Sequence, residues 1–201
     1  AKLCAALSTS QVGQLSNTQI SGLSASSLLT IINNGTTLLS NLTASQVGQL
    51  SGLLIRGLTA SVLLTIINNG TTLLSNLTAS QMPYLSSTQL NDTKLRGALS
   101  TSQVGQLSGS SISGLSVDTL LIKLSNGRTL LSNLTAGQVQ NLSTTQLNDA
   151  KLCGALSTSQ VGQLSNIQIS GFSVDVLLAT ISNGTSFISN LTAGQVQNLS
   201  T

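Results

Sequence analysis

Apolar residues follow one another along the chain at spacings that alternate between five and three. Leu7, Val12, Leu15, Ile20 and Leu23 set this rhythm. An α-helix turns about 100° per residue, so a stripe that repeats every eight residues drifts round the helix by about 80° per repeat. A continuous strand does not fit either, because odd spacings place successive apolar residues on opposite faces. The pattern therefore predicts a chain that changes direction within each group of eight residues, here called an octad.

Each octad also carries the residues that begin a short helix. Ser8 can cap a helix, and Gln11 stands three positions later as its partner in a capping box. Leu7 and Val12 occupy the two positions of a hydrophobic staple, and Leu15 opens the next octad. The same arrangement recurs at 42–47, 134–139 and 156–161. The sequence thus predicts helices of one to two turns, joined by capped corners.

A longer helix is predicted once per repeat, the first at 24–33. Ser24 would cap it, and Gly35 would end it in a left-handed conformation. Its buried face would consist of Leu28, Leu29, Ile31 and Ile32.

The predicted fold is therefore all-α, a solenoid or superhelix of short capped helices built from tandem repeats. A β-solenoid is the alternative, because Ser, Thr, Asn and Gly are poor residues for helix interiors. It would place one corner at each apolar step.

Longer repeats contain the octads. The segment 28–35 recurs at 63–70, 120–127 and 177–184, at offsets of 35, 57 and 57 residues. This spacing predicts a single tandem-repeat array over 1–201 and indicates a piece of a longer array. The predicted units are 1–57, a shortened unit at 58–92, 93–149, and an incomplete unit at 150–201.

Charge is scarce, which narrows the possible functions. The chain has seven Lys and Arg, four acidic residues and no His, for a net charge of +3. We expect no enzymatic activity, catalytic residue, cofactor or metal site, because the usual proton-transfer groups and metal ligands are missing. Seven cations cannot form the basic surface that nucleic acid requires. Every apolar run is interrupted well before the length that spans a bilayer, so we expect no membrane insertion.

The octads resemble the superhelical repeats of the mesothelin, stereocilin and otoancorin family of extracellular glycoproteins. They are also similar to octad repeat arrays of bacterial surface adhesins. This resemblance implies an adhesive helical solenoid at the cell surface or in the matrix, without catalysis. The segments that carry it are 7–28, 42–58, 99–120 and 156–177.

Sequons for N-linked glycosylation are the most informative functional motif. Attached glycans would supply the hydration that so few charged groups provide. The other interpretation is that these asparagines serve only in turns and helix caps. The candidates are Asn34, Asn41, Asn69, Asn76, Asn91, Asn133, Asn141, Asn183, Asn190 and Asn198.

The two cysteines, Cys4 and Cys153, occupy the same position in their repeats, and Arg96 takes that position in the third unit. Such an isolated cysteine is predicted to be a small buried core residue. The alternatives are a cross-link between chains and a reactive thiol.

Two function classes follow from these observations. The first is an extracellular or cell-surface structural protein, a segment of a glycosylated filament that associates end to end with copies of itself. The second is a cell-surface adhesion module that recognises a glycan or a partner protein. A glycan-binding groove would need aromatic platforms. The aromatic residues Tyr84, Phe172 and Phe187 do not recur at one repeat position, and this favours the structural class.

Overall fold

A computed structural model describes residues 2–199. Within that range the chain forms 19 α-helices and five short 3-10 helices, and no strand. The predicted all-α class is confirmed, and the β-solenoid alternative is wrong for this part of the chain. By contact the chain divides into two compact units, Ala1–Leu99 and Ser100–Thr201. The repeat boundaries predicted above stay predictions, and the outer units extend onto residues 1, 200 and 201, which lie outside the described range.

The first compact unit consists of helices of four to six residues. Its α-helices are Lys2–Ala5, Thr9–Gly13, Asn17–Ser21, Ala25–Leu28, Ala44–Val47, Gly52–Gly57, Ala60–Leu63, Ser87–Leu90 and Thr93–Gly97. Its 3-10 helices are Leu39–Asn41, Leu74–Asn76 and Met82–Tyr84.

The second compact unit is built in the same way. Its α-helices are Thr101–Val104, Gly109–Ser113, Val117–Leu121, Ala136–Val139, Thr144–Leu147, Ala150–Ala155, Thr158–Val161, Asn166–Ser170, Val174–Leu178 and Ala193–Val196. Its 3-10 helices are Leu131–Asn133 and Ile188–Asn190.

The predicted capping boxes are confirmed. In the first, the Ser8 hydroxyl accepts a hydrogen bond from the main-chain N–H of Gln11, and Gln11 Oε1 accepts one from the N–H of Ser8 at 2.9 Å. Two main-chain donors at the helix start are thereby satisfied. Complete boxes also join Ser16 to Gln19, Thr43 to Gln46, Ser86 to Gln89, Ser100 to Gln103, Thr135 to Gln138, Ser143 to Gln146, Ser157 to Gln160, Ser165 to Gln168, and Thr192 to Gln195.

The longer helix predicted at 24–33 is wrong. Ser24 does cap a helix, but the helix ends at Leu28. The chain then turns back in a small hairpin, where Ile31 pairs with Thr37 and Gly35 adopts a φ of 80°. The β-branched run before the turn disfavours helix, and the Gly supplies the left-handed conformation that the turn requires.

This hairpin also changes which apolar residues are buried. Leu28 and Ile32 are buried as predicted, whereas Leu29 and Ile31 are about half exposed. The same hairpin occurs three more times within the described residues, with Gly70, Gly127 and Gly184 at the left-handed position.

Side-chain amides join successive layers of the chain within each compact unit. The Nε2 group of Gln46 donates to the carbonyl oxygen of Val12 at 2.7 Å. Gln81 in turn donates to the carbonyls of Val47 and Leu50, at 2.7 and 2.9 Å. Each donor lies 26 to 34 residues after the carbonyl groups to which it donates. The chain therefore returns to lie against itself about once in that distance, and each such pass is called a layer. The same bonds are made by Gln89, Gln138, Gln146, Gln160, Gln168 and Gln195.

The apolar octad residues fill the space between these layers. Val47, Ile55, Val104 and Leu120 are fully buried. Each such side chain contributes about 1.5–3 kcal/mol to the hydrophobic stabilisation of the layer.

We predict that the glutamine amide is required wherever a layer is covered. Gln160→Glu keeps an oxygen for the capping box but turns a carboxylate towards the carbonyl of Leu131, which now accepts from Gln160 at 2.7 Å. We expect a loss of about 3 kcal/mol in the free energy of unfolding, because a buried acceptor and a buried charge both lose their partner. Urea unfolding followed by helical circular dichroism measures it.

The matched control is Gln11→Glu. Residues 8–15 and 157–164 have the same sequence, but Gln11 is exposed. Since Glu serves as well as Gln in an exposed capping box, we expect a change below about 0.5 kcal/mol. Equal losses in both variants would contradict a role for the layer bond.

Candidate functional site

Asparagines form a hydrogen-bonded corner beside each hairpin. Asn34, in the turn, donates through Nδ2 to the Thr9 hydroxyl at 2.8 Å and to Oδ1 of Asn41 at 3.0 Å. Asn41 ends a 3-10 helix, and its Nδ2 donates to the Thr36 hydroxyl at 2.7 Å and to the carbonyl of Thr37 at 2.8 Å. Both amide protons of both asparagines are therefore in use.

The corner recurs with small variations. Asn183 and Asn190 reproduce every bond of the first corner, including the bond from Asn183 to Thr158. In another copy Arg128 occupies the position of Thr36. Asn126, the counterpart of Asn34, therefore has the corner contacts but no sequon. The sequon asparagines placed in corners are Asn34, Asn41, Asn69, Asn76, Asn133, Asn183 and Asn190.

These corners restrict where a glycan fits the folded chain. Asn41 is 7% exposed, and a glycosylated amide nitrogen keeps only one proton. Attachment there breaks a hydrogen bond worth about 1 kcal/mol and places a sugar against buried neighbours. The corner asparagines thus have a structural role that competes with modification.

The remaining sequons lie at helix ends. Asn141 is exposed, and its Nδ2 donates a single bond, to the carbonyl of Gly137 at 2.7 Å. Asn198 repeats this bond to Gly194, although Ser200 of its sequon lies outside the described residues. Asn91 is exposed at the end of the helix Ser87–Leu90. The side chain of Asn141 lies against Gly109 of the preceding layer, but all three asparagines are more exposed than Asn41.

The two cysteines differ in their surroundings. Cys153 is fully buried, and burial raises the pKa of its thiol to about 11. Cys4 lies in the helix Lys2–Ala5 and is half-buried. Arg96, at the equivalent position, is buried and donates through Nη1 to the carbonyls of Leu90 and Asn91; burial also lowers the pKa of this guanidinium. A cross-link between folded chains is therefore sterically open to Cys4 but not to Cys153.

An open cleft on the first unit was not anticipated from the sequence. It has a volume of about 570 Å³ and brings together Arg56, Thr59, Thr88 and Asp92. The only sequence signal for it is that one of the few cations and one of the few acids occupy neighbouring layers.

Across residues 2–199, no three His, Cys, Asp or Glu side chains come close enough together to hold a metal ion. No helix in the same range has the length and apolar character needed to cross a membrane.

Comparison with known proteins gave no relative: no protein-family model matches the chain, and no curated protein or solved structure is significantly similar to it.

We predict that the two thiols react at very different rates. At pH 8, with a pKa of about 11, only about one Cys153 thiol in a thousand is ionised, and the thiolate is the nucleophile. Iodoacetamide should therefore modify Cys4 rapidly and Cys153 only after denaturation, as read by peptide mass spectrometry. Equal rates in the native protein would show that the layer around Cys153 opens readily.

We also predict the pattern of glycan occupancy in the folded protein after secretion from a eukaryotic cell. Asn91, Asn141 and Asn198 should carry glycans, and Asn41 should not, because its amide is buried and fully bonded. Enzymatic deglycosylation in ¹⁸O-water followed by peptide mass spectrometry measures occupancy. Equal occupancy at Asn41 and Asn141 would contradict the structural role of the corner.

Proposed function

We propose that this chain is an extracellular structural repeat protein, a segment of a glycosylated surface or matrix filament that assembles end to end with copies of itself. The observation that carries the proposal is the layer contact. The same amide-to-carbonyl bond, between nearly the same octads, recurs in both compact units. A contact that is repeated along a chain can also be repeated between chains, and contacts of this open kind build fibres.

The chemistry of the chain supports a structural role. Serine is abundant, but the sequence contains no histidine to activate it as a nucleophile. Most octads carry no charged side chain, so burying one of these against another costs no desolvation of charge. Glycans on the sequons at helix ends would provide solubility along the filament.

Continuation of the layers into one solenoid over the whole chain is part of this proposal. Recurrence of the same octads in both compact units supports it, because each would present a next layer with the same acceptors. An extracellular or cell-surface location is likewise proposed, on the strength of the sequons and of the scarcity of charge.

The proposal is tested by sedimentation velocity and negative-stain electron microscopy from low to high micromolar concentration. We expect assemblies that lengthen with concentration. They should persist when salt is raised from about 0.1 to about 1 M, because an uncharged contact is not screened. A monodisperse monomer at high micromolar concentration would overturn the filament.

The second candidate is an adhesion module, and the cleft near Arg56 and Asp92 favours it. This cleft could bind a small polar group such as a sugar. However, it has no aromatic lining, and Phe172 and Phe187 are occupied in packing on each other at 4.8 Å. Calorimetric titration with neutral and acidic oligosaccharides, with Arg56→Gln as control, distinguishes it: binding that is lost in the variant would favour this function.

A further inference from the structure

The dipeptide Asn-Gly lies in the turn of each hairpin, at Asn34, Asn69, Asn126 and Asn183. Asparagine is chemically labile, and most of all before glycine, because glycine has no side chain to hinder attack by its own main-chain nitrogen on the asparagine amide. At all four glycines the space that a β-carbon would occupy is open. The four turns therefore share one intrinsic chemical weakness.

The attacking nitrogen has the same surroundings in every copy. The N–H of the turn glycine donates to the carbonyl oxygen three residues earlier, at 2.9 to 3.0 Å. The four asparagines are all exposed, so water reaches each of them. Differences in reactivity between the copies therefore depend on how the asparagine side chain is held.

A threonine hydroxyl 25 residues earlier in the chain accepts a hydrogen bond from the asparagine Nδ2 in three of the four copies. The pairs are Asn34 with Thr9 at 2.8 Å, Asn126 with Thr101 at 2.7 Å, and Asn183 with Thr158 at 2.9 Å. In the fourth copy this position is Ala44, and Asn69 Nδ2 donates to Asn76 Oδ1 at 2.8 Å. Among residues 2–199, Asn69 is the one turn asparagine that lacks this anchor, the threonine hydroxyl on its amide nitrogen.

The local sequence gives no reason for this difference. Residues 28–46 and 63–81 are identical, so Asn34 and Asn69 have the same neighbours along the chain. The amide oxygen of Asn69 accepts from the Thr71 N–H at 3.0 Å and from the Thr71 hydroxyl at 2.7 Å, and the corresponding bonds hold the oxygen of Asn34. The two side chains differ in their contact with the preceding layer.

The two bonds from Thr71 favour loss of the amide. The Gly70 nitrogen gives its proton to hydroxide and attacks Cγ of Asn69, and the negative charge that develops on the amide oxygen is stabilised by both donors. The Cγ–Nδ2 bond then breaks, and the nitrogen takes a proton from water and leaves as ammonia. A five-membered succinimide ring remains.

Water completes the reaction by opening this ring. Cleavage of the bond from Cγ to the Gly70 nitrogen gives aspartate, and cleavage of the bond from the Asn69 main-chain carbonyl carbon to that nitrogen gives isoaspartate. The net change is the consumption of one water molecule and the release of ammonia. No cofactor, oxidant or enzyme is needed.

We propose that Asn69–Gly70 is a site of spontaneous modification in the folded protein, where water converts Asn69 to aspartate and isoaspartate, and that the threonine anchor protects the other three turns. Asn69 combines an amide oxygen bonded by two donors with a nitrogen that no threonine holds. Asn34 and Asn183 have the same two donors, but their nitrogen must also leave a threonine. In Asn126 the anchor is present, and no hydroxyl among the described residues donates to the oxygen.

Conversion of Asn69 alters its corner. The Nδ2 group now donates to Asn76 Oδ1, and an aspartate would turn a second acceptor towards that oxygen, so the bond is lost. Isoaspartate also lengthens the main chain of the hairpin by one carbon. The neighbouring Asn68 N–H joins the hairpin to the preceding layer through the Leu42 carbonyl at 3.3 Å. Modification therefore loosens the hairpin beside a layer contact and lowers the net charge of the chain by one.

The experiment compares Asn69 with Asn34 in the same molecule. Protein produced in bacteria, without glycans, is incubated at mildly alkaline pH in ¹⁸O-water, which leaves one ¹⁸O atom in each new carboxylate. Digestion in ordinary water after lysine and arginine separates the two asparagines into the peptides 3–56 and 57–94, and mass spectrometry measures the label at each. Loss of one hydrogen bond corresponds to about a fivefold change in an equilibrium, so we expect Asn69 to react at least about five times faster.

The unfolded chain is the first control. In concentrated guanidinium chloride, Asn34 and Asn69 should react at the same rate, because the sequences around them are identical. A rate difference that persisted in the unfolded chain could not come from the anchor and would contradict the proposal.

Exchanging the anchor tests the cause. Ala44→Thr supplies a hydroxyl for Asn69 and should slow its conversion about fivefold, whereas Thr9→Ala removes the hydroxyl from Asn34 and should accelerate its conversion about as much. Both substituted positions are exposed at helix starts, so the fold should be retained, and circular dichroism checks this.

Ala136→Thr is the matched control variant. Ala136 has the same place at the start of a capped helix, but the residue 25 positions later is Val161 instead of a turn asparagine. This variant should leave both rates unchanged. Equal rates at Asn34 and Asn69 in the native wild type would overturn the proposal, as would a folded Ala44→Thr variant with an unchanged rate at Asn69. Should Ala44→Thr fail to fold, an unchanged rate at Asn34 in Thr9→Ala has the same consequence.

Discussion

The structure depends on one property of the glutamine side chain, which is that its amide both accepts and donates. Oε1 accepts from the N–H that begins its own helix, while Nε2 donates to a carbonyl in the preceding layer, as in Gln138 with Thr135 and Val104. A single side chain therefore determines where a helix starts and what lies beneath it. Each bond contributes about 1 kcal/mol, and repetition makes the sum substantial. Helices of four to six residues, which are unstable alone, are held in this way.

Electrical neutrality follows from the same arrangement. A layer contact between main-chain carbonyls and side-chain amides has no place for an unpaired charge, and the few charged residues lie outside it. The buried exception is Arg96, whose guanidinium donates to two main-chain carbonyls. The cost of this neutrality is poor hydration of the surface. The proposed glycans at helix ends and the proposed assembly with other copies would both compensate for it.

The asparagine corners and the repeated octads illustrate how one sequence has different roles in different places. Residues 8–15 and 157–164 are the same octad, yet Gln11 is exposed and Gln160 is buried. Likewise Asn41 and Asn141 are both sequon asparagines, but the first is buried in a corner and the second is exposed at the end of a helix. Neighbouring layers, and not the local sequence, decide whether such a residue is structural or available to a partner.

The sequence by itself determined the short helices, because a cap, its glutamine partner and the staple residues lie within six positions of one another. It also determined the left-handed turn at Gly35. One feature of the sequence could not be interpreted without the structure: every capping-box partner is Gln and never Glu, although both residues suit a capping box. Only the tertiary structure revealed why, since the Nε2 acceptors lie 26 to 34 residues away. The end of the helix at Leu28 has a local cause in the β-branched residues that follow it. The burial of Asn41 was decided by the tertiary structure alone, because it depends on contacts between layers that no local pattern contains.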